Sequence, residues 1–290
     1  MKRILKSGCL GWAFAALVSA AGPQRLVTAD WLHKRLRDPG VVILDTRPEG
    51  EYRKGHIPGA ILVNTYDYLA ESSPAGDRAL QQKIAEIFGG VGVRPGDTVV
   101  LYENRLGTRA ARGYWMLRYA GHPKAHILEG GLEAWRKKQL PVSTETPAAR
   151  PATGFRVRPQ RALLAGAQEL GARLRDSKQV ILDVRTRGEY DGTGGSSDCA
   201  RQGRIPGAVW IEWTQFLSSD GSTFRSPEEL RALLSKHGVT PDKEVVTYCH
   251  RGARAAAAWT VLDALGFRRS KNYLASWHDW AEKKDLPAER

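Results

Sequence analysis

Cysteine is scarce in this chain: there are three in 290 residues, with no Cys-x-x-Cys and no clustered Cys/His ligands. A disulfide framework and a structural zinc site are therefore not expected, and any cysteine chemistry must rest on a single thiol. Acidic side chains are also short, 31 against 44 Lys and Arg, which leaves a formal charge of +13. Such a surplus attracts anions through its long-range field. Helix-turn-helix, zinc and aromatic-basic platform signals are missing, so nucleic acid is not an expected partner. Beyond residue 21 there is no apolar run long enough to span a bilayer. What the chain does contain is 42% hydrophobic and 26% charged residues, a composition that supports about two globular domains at this length.

The amino terminus is read separately. Met1 to Lys6 is short and basic, and residues 8 to 21 are apolar or small. This pattern predicts a secretory signal peptide over residues 1–21, cleaved between Ala20 and Gly22. Its apolar part is shorter than the roughly 20 residues of a spanning helix, which argues against an uncleaved anchor. Loss of Lys2, Arg3 and Lys6 takes the charge from +13 to +10. The expected mature protein is exported to a bacterial periplasm, has no membrane association and keeps Cys199 and Cys249.

An internal repeat dominates the remainder. Val42-Ile43-Leu44-Asp45-Thr46-Arg47 followed by Glu51-Tyr52 recurs as Val180-Ile181-Leu182-Asp183-Val184-Arg185 followed by Glu189-Tyr190, 138 residues later. His56-Ile57-Pro58-Gly59-Ala60 recurs as Arg204-Ile205-Pro206-Gly207-Ala208 after 148 residues, which places a ten-residue insertion between Tyr190 and Arg204. Val99 to Tyr102 matches Val245 to Tyr248, and Leu128 to Trp135 matches Tyr273 to Trp280. The expected division is residues 25–140, a linker over 141–160 rich in Pro, Thr, Ala and Arg, and residues 161–290.

Within each copy, short apolar runs alternate with helical stretches, the signature of a parallel α/β sheet. Helices are predicted over Ala29–Arg37, Ala110–Tyr119, Ala165–Arg175 and Arg254–Leu265, the second and fourth stopping at Gly121 and Gly266. The chemistry concentrates in Tyr248-Cys249-His250-Arg251-Gly252-Ala253-Arg254, where a strand runs through a short loop into a helix. Backbone N–H groups and the positive helix end converge at such a junction. A thiol there, among His250, Arg251 and Arg254, is favoured as a thiolate. Asp45, Arg47, Asp183 and Arg185 end their strands and are expected to form buried ion pairs supporting the loops.

Taken in order and twice over, these motifs resemble the rhodanese family, specifically its tandem-domain sulfurtransferases acting on thiosulfate or 3-mercaptopyruvate. The resemblance implies two rhodanese domains, each a parallel five-stranded sheet flanked by helices, with the active site near the domain interface. Only the second copy should be catalytic, because Glu103 stands where Cys249 does and a carboxylate cannot accept a sulfane sulfur. The first domain would then be a partner that shapes the cleft, with an anion-binding role open to Arg105 or Arg109.

The resemblance implies that Cys249 takes the outer sulfur of thiosulfate as a persulfide and passes it to cyanide or a thiol. Arg251 and Arg254 are expected to orient the sulfonate. His250 is expected to aid binding or deprotonation, and Gly252 and Ala253 to contribute backbone N–H groups. Asp183, Arg185 and Glu189 would be structural support, with Glu189 bracing Arg185.

The loop's cations favour thiosulfate over 3-mercaptopyruvate, whose specific enzymes carry a small uncharged Cys-Gly-Ser-Gly loop. A phosphatase on this fold needs five residues between Cys and the terminal Arg, and here there are four. A persulfide carrier that does not turn over, or a partner-binding module, is the further alternative. No cofactor and no metal are expected, and the chain is expected to be a monomer. His122 and His126 bracket Pro123 and form no helical metal pair, and the tryptophans are expected in core or interdomain packing. Cys199 falls in the Gly/Ser-rich insertion, where the expectation is a mobile surface loop with an unpartnered thiol; a disulfide with Cys249 is the alternative.

Overall fold

The computed structural model describes residues 25–195 and 197–290. The signal peptide expected over residues 1–21 lies outside the described residues. The first repeat comprises β1 (Leu26–Val27), α1 (Ala29–His33), β2 (Val41–Asp45), α2 (Glu49–Arg53), β3 (Ile61–Leu62), α3 (Pro74–Gly90), β4 (Thr98–Tyr102), α4 (Thr108–Tyr119), β5 (Ala125–Leu128) and α5 (Gly131–Lys137). The second comprises α6 (Ala167–Ala172), β6 (Gln179–Asp183), α7 (Arg187–Asp191), β7 (Val209–Trp210), α8 (Pro227–Lys236), β8 (Glu244–Tyr248), α9 (Ala253–Ala264), β9 (Ser270–Asn272) and α10 (Ser276–Glu282), with 3-10 turns at Arg161–Leu163 and Trp213–Phe216.

The first sheet has the order β1-β5-β4-β2-β3 and the second β7-β6-β8-β9, with every strand pair parallel. The second sheet thus has four strands where five are expected. At the position of β1, a single parallel bridge joins Leu164 to Asn272. The central strands β4 and β8 are covered on both faces, which explains their continuous apolar runs.

The predicted helices α4 and α9 are found with one- or two-residue shifts, and Gly121 and Gly266 follow their last turns. They pack against each other across the two halves. Four successive alanines, Ala255 to Ala258, are buried in α9 and let α4 come close. Tyr114 of α4 and Trp259 of α9 meet with ring centroids 6.2 Å apart. One apolar core therefore runs through both repeats.

The linker is a strap rather than a free tether. His56 pairs with Ser143 in both directions, Thr153 donates its N–H to Gly89, and Arg158 donates to Ala120. Arg150 pairs with Asp97 at 2.7 Å, and Phe155 packs on Phe88. A segment without apolar periodicity still needs partners for its backbone, and the surface of the first repeat supplies them. No helix among the described residues is long and apolar enough to cross a membrane.

Candidate active site

β8 delivers the chain to Cys249, and α9 begins four residues later. The turn between them depends on Gly252, whose φ of +84° is left-handed; a Cβ there would lie 2.2 Å from the Leu274 carbonyl oxygen. The Gly252 N–H donates to Cys249 Sγ at 3.1 Å. The start of α10 fixes the loop from the other side. Trp277 N–H donates to the Cys249 carbonyl at 2.9 Å, and His278 N–H to that of His250 at 3.0 Å. Cys249 N–H donates to Ser276 Oγ at 3.1 Å. Ser276 adopts φ +59°, rare for a non-glycine residue. The matching position in the first repeat is Gly131, at φ +55°.

Asp183 and Arg185 form the expected buried pair, at 3.0 Å for Nε–Oδ1 and 2.6 Å for Nη2–Oδ2. Tyr248 donates to the same Asp183 carboxylate, and Arg185 also donates to the Gly203 carbonyl. Asp45 and Arg47 repeat this brace in the first half with matching distances of 3.0 and 2.6 Å.

The expected bracing of Arg185 by Glu189 is corrected. With Arg185 bound to Asp183, Glu189 turns to Arg254, whose two terminal nitrogens each donate at 2.7 Å. Thr186 caps α7 in a reciprocal box with Glu189 and holds the carboxylate in that direction. Burial pushes the Glu189 carboxyl up, but the Arg254 fork and the Thr186 donors outweigh it and bring it to about 2. Arg251, half exposed, pairs with Asp198. Both arginines expected to grip the donor thus already have carboxylate partners.

Cys199 also departs from expectation. Its loop is folded against the rest of the second repeat, because the Arg201 guanidinium donates to the carbonyls of Trp280, Ala281, Lys283 and Leu286. Cys199 is half-buried, with Sγ 3.6 Å from His250 Nδ1, while Asp198 lies 3.2 Å from His250 Nε2. Asp198, Cys199 and His250 thus bring together three metal-ligand side-chain types, which their spread along the sequence concealed. The two ring nitrogens face different partners, so Cys199 and Asp198 are linked through opposite sides of one imidazole. Burial, reinforced by Asp198, pushes the Cys199 thiol up to about 11. Burial lowers His250, against the opposing pull of Asp198.

Cys249 is 1% exposed overall and lines a cavity of about 400 Å³. His250, Arg251, Ala253 and Arg254 line the same cavity, and the first repeat contributes Tyr66, Asp67, Tyr68, Leu69 and Arg112, so that one carboxylate stands in the wall with the three arginines. Arg112 went unnoticed in the sequence, although it is the single charge in the run Ala110 to Leu117. Arg105 is instead engaged with Glu133 and the Asp220 carbonyl, and Arg109 lies over the Tyr66 ring at 4.4 Å.

The first repeat fills its own version of the cradle. Glu103 Oε1 accepts from the N–H groups of Arg109 at 2.9 Å and Ala110 at 3.1 Å. In the second repeat, the corresponding junction presents a sulfur to the Gly252 N–H.

The fold and site define a pair of α/β domains with one buried thiol at the amino end of a helix, opening on a cavity between the two halves. The rhodanese-like domain family matches the chain twice, over residues 28–138 and 166–283. The chain belongs to this family and contains two copies of its domain. It is 34% identical over 272 residues to the thiosulfate sulfurtransferase of Azotobacter vinelandii, covering 93% of this chain and 98% of that one. It is 32% identical over 278 residues to the sulfur carrier protein TtuD of Thermus thermophilus, covering 92% and 97%. Among solved structures, the wild-type structure of EanB superposes with a TM-score of 0.79 at 24% identity, covering 91% of this chain and 69% of that one. At that identity the likeness is one of fold.

Proposed function

We propose that this protein is a thiosulfate sulfurtransferase working through a Cys249 persulfide. The observation that carries the reading is the position of Cys249 Sγ, which accepts the Gly252 N–H at 3.1 Å in a cavity walled by arginines from both repeats. Relatives named thiosulfate sulfurtransferase, matched over most of their length, support the same activity.

In the proposed reaction the Cys249 thiolate attacks the outer sulfur of thiosulfate. A Cys249 S–S bond forms, the donor S–S bond breaks, and sulfite leaves with the electron pair. Cyanide or a thiolate then attacks the terminal sulfur, and the Cys249 thiolate is regenerated as leaving group. The sulfur migrates without net oxidation of the enzyme, and two covalent steps replace one direct transfer. The Gly252 N–H and the positive end of α9 stabilise the anionic sulfur in both forms. Arg254, locked by Glu189, supplies a fixed positive charge beside the thiol; burial works to lower its pKa, and the Glu189 hydrogen bond, with Cys249 after it, outweighs burial and raises it.

The test is a paired assay of thiosulfate and 3-mercaptopyruvate with cyanide as acceptor, on wild type and Cys249→Ser. Higher kcat/KM for thiosulfate supports the reading, and preference for 3-mercaptopyruvate replaces it with that donor. The name of the Thermus relative favours a second reading, a persulfide carrier. Stable persulfide on Cys249 without cyanide-dependent turnover would establish it. We further propose export, on the strength of the leader in residues 1–21; amino-terminal sequencing of protein from the periplasm should begin near Ala21 or Gly22.

A further inference from the structure

Three arginine side chains face the Cys249 cavity, and they differ in what balances their charge. Arg254 spends both terminal nitrogens on Glu189, and Arg251 is paired with Asp198. Arg112, carried by α4 of the first repeat, is 2% exposed. Among the described residues it forms no ion pair with a carboxylate, and the groups that act on its charge are Tyr66, Cys249 and Tyr68. Its Nη1 donates to the Arg251 carbonyl at 3.3 Å and its Nη2 to the Tyr68 carbonyl. Its Nε is buried and has no hydrogen-bond partner.

An arginine has five N–H donors, so most of this one's capacity is unused. A buried cation without a counter-ion is costly, and the cost is repaid when an anion arrives with hydrogen-bonding oxygens. Burial lowers the Arg112 pKa from its ordinary value, in the direction expected of a cation short of a partner.

We propose that Arg112 is the receptor for the oxyanion end of the sulfur donor, so that the repeat lacking a nucleophile supplies the anion-binding half of the site. The inference rests on the sulfurtransferase reading for its ligand and goes beyond it in assigning the binding residue. The oxyanion is the sulfonate of thiosulfate or the carboxylate of 3-mercaptopyruvate, and the assay arms separate them. A donor held by Arg112 from one wall meets Cys249 on the other, which places the reacting sulfur between the two repeats. The second-repeat arginines then fix the thiol and its loop, while Arg112 selects the donor.

The experiment measures Cys249 persulfide formation by mass spectrometry in single turnovers over a range of thiosulfate concentrations. Wild type is compared with Arg112→Gln and Arg112→Met, with 3-mercaptopyruvate as the parallel donor. A lost charge-assisted contact predicts a fall in the second-order rate constant of about 10- to 100-fold, carried by the donor concentration dependence. Alkylation of Cys249 by neutral iodoacetamide, followed by peptide mapping to separate it from Cys199, reads the part of the loss that comes from a changed thiolate, because Arg112 and Cys249 act on one another's charge, and the fall with thiosulfate should exceed it by at least about tenfold.

In a second measurement, sulfate should protect wild-type Cys249 from iodoacetamide whereas neutral dimethyl sulfone should not, and the Arg112 variants should lose the protection. Equal protection by sulfate and the sulfone overturns the proposal even if neither variant folds. A folded variant with an unchanged thiosulfate dependence also overturns it. If wild type forms no persulfide from either donor but shows Arg112-dependent sulfate protection, the anion site stands and the sulfurtransferase reading falls.

Discussion

At the residue scale, two cysteines share one domain and differ in setting. Cys249 accepts an N–H at the head of a helix, whereas Cys199 is held as a thiol, pushed up to about 11 by burial and Asp198. Cys249→Ser should therefore reduce sulfur transfer to background, and Cys199→Ser should keep most of it, as a cyanide-coupled assay would show. Mass mapping after mild oxidation should find both thiols free. Glu189 provides the pH dependence. Its folded carboxyl ionises near 2 instead of the ordinary 4.5, so the stability it contributes is present above about pH 4.5 and is lost as the pH falls toward 2. A shift of that size corresponds to something on the order of 3 kcal/mol. Glu189→Gln should remove this part of the acid dependence in urea titrations between pH 5 and 3, while lowering stability at neutral pH because the partly buried Arg254 is left without its counter-charge.

At the element scale, the strand–loop–helix junction is set by two left-handed residues. Gly252→Ala places a Cβ 2.2 Å from the Leu274 oxygen and adds the ordinary cost of a left-handed alanine, about 1 to 2 kcal/mol. Thermal melts should show destabilisation beyond that figure, and persulfide loading should fall with it because the N–H facing the sulfur is displaced. Ser276 gives an inverted expectation. Ser276→Ala keeps the left-handed strain and leaves the buried Cys249 N–H unsatisfied, a loss of about 1 to 3 kcal/mol. Ser276→Gly relieves the strain while losing the same bond. The glycine variant should therefore be the more stable of the two, and a more stable alanine variant would show that the left-handed backbone at position 276 stores no strain.

At the scale of the whole molecule, α4 and α9 bind the repeats together, and a polar cluster closes the same seam. Asp263 of α9 accepts from Tyr114 at 2.6 Å and pairs with Arg25 at 2.8 Å, with Arg118 at 3.6 Å. Asp263→Ala leaves two partly buried arginines and a tyrosine without their acceptor. It should lower the unfolding midpoint in denaturant by an amount equivalent to a few kcal/mol. Because the seam carries the cavity wall, it should also weaken donor binding more than it slows alkylation of Cys249. Unchanged donor binding would show that the two halves hold their relation without this cluster.

The doubled architecture, the central strands, the helices α4 and α9, and the placing of Cys249 between a strand and a helix were all legible in the amino-acid sequence. These follow from local signals: buried parallel strands read as continuous apolar runs, helices stop at glycine, and a Cys followed by a glycine and a helical stretch marks a strand–loop–helix junction. The Asp-x-Arg braces were legible for the same reason, since both partners lie two residues apart in each copy. The ion pairs between distant segments were settled by the fold. The choice of Glu189 between Arg185 and Arg254, the approach of Cys199 to His250, and the presence of Arg112 in the wall of the cavity each join segments tens of residues or more apart. Pairing of this kind depends on where packing brings side chains and on which partners have already been taken. The reduction of the expected fifth strand to a single bridge at Leu164 has the same origin, because a two-residue edge strand exists only where its neighbour offers hydrogen bonds.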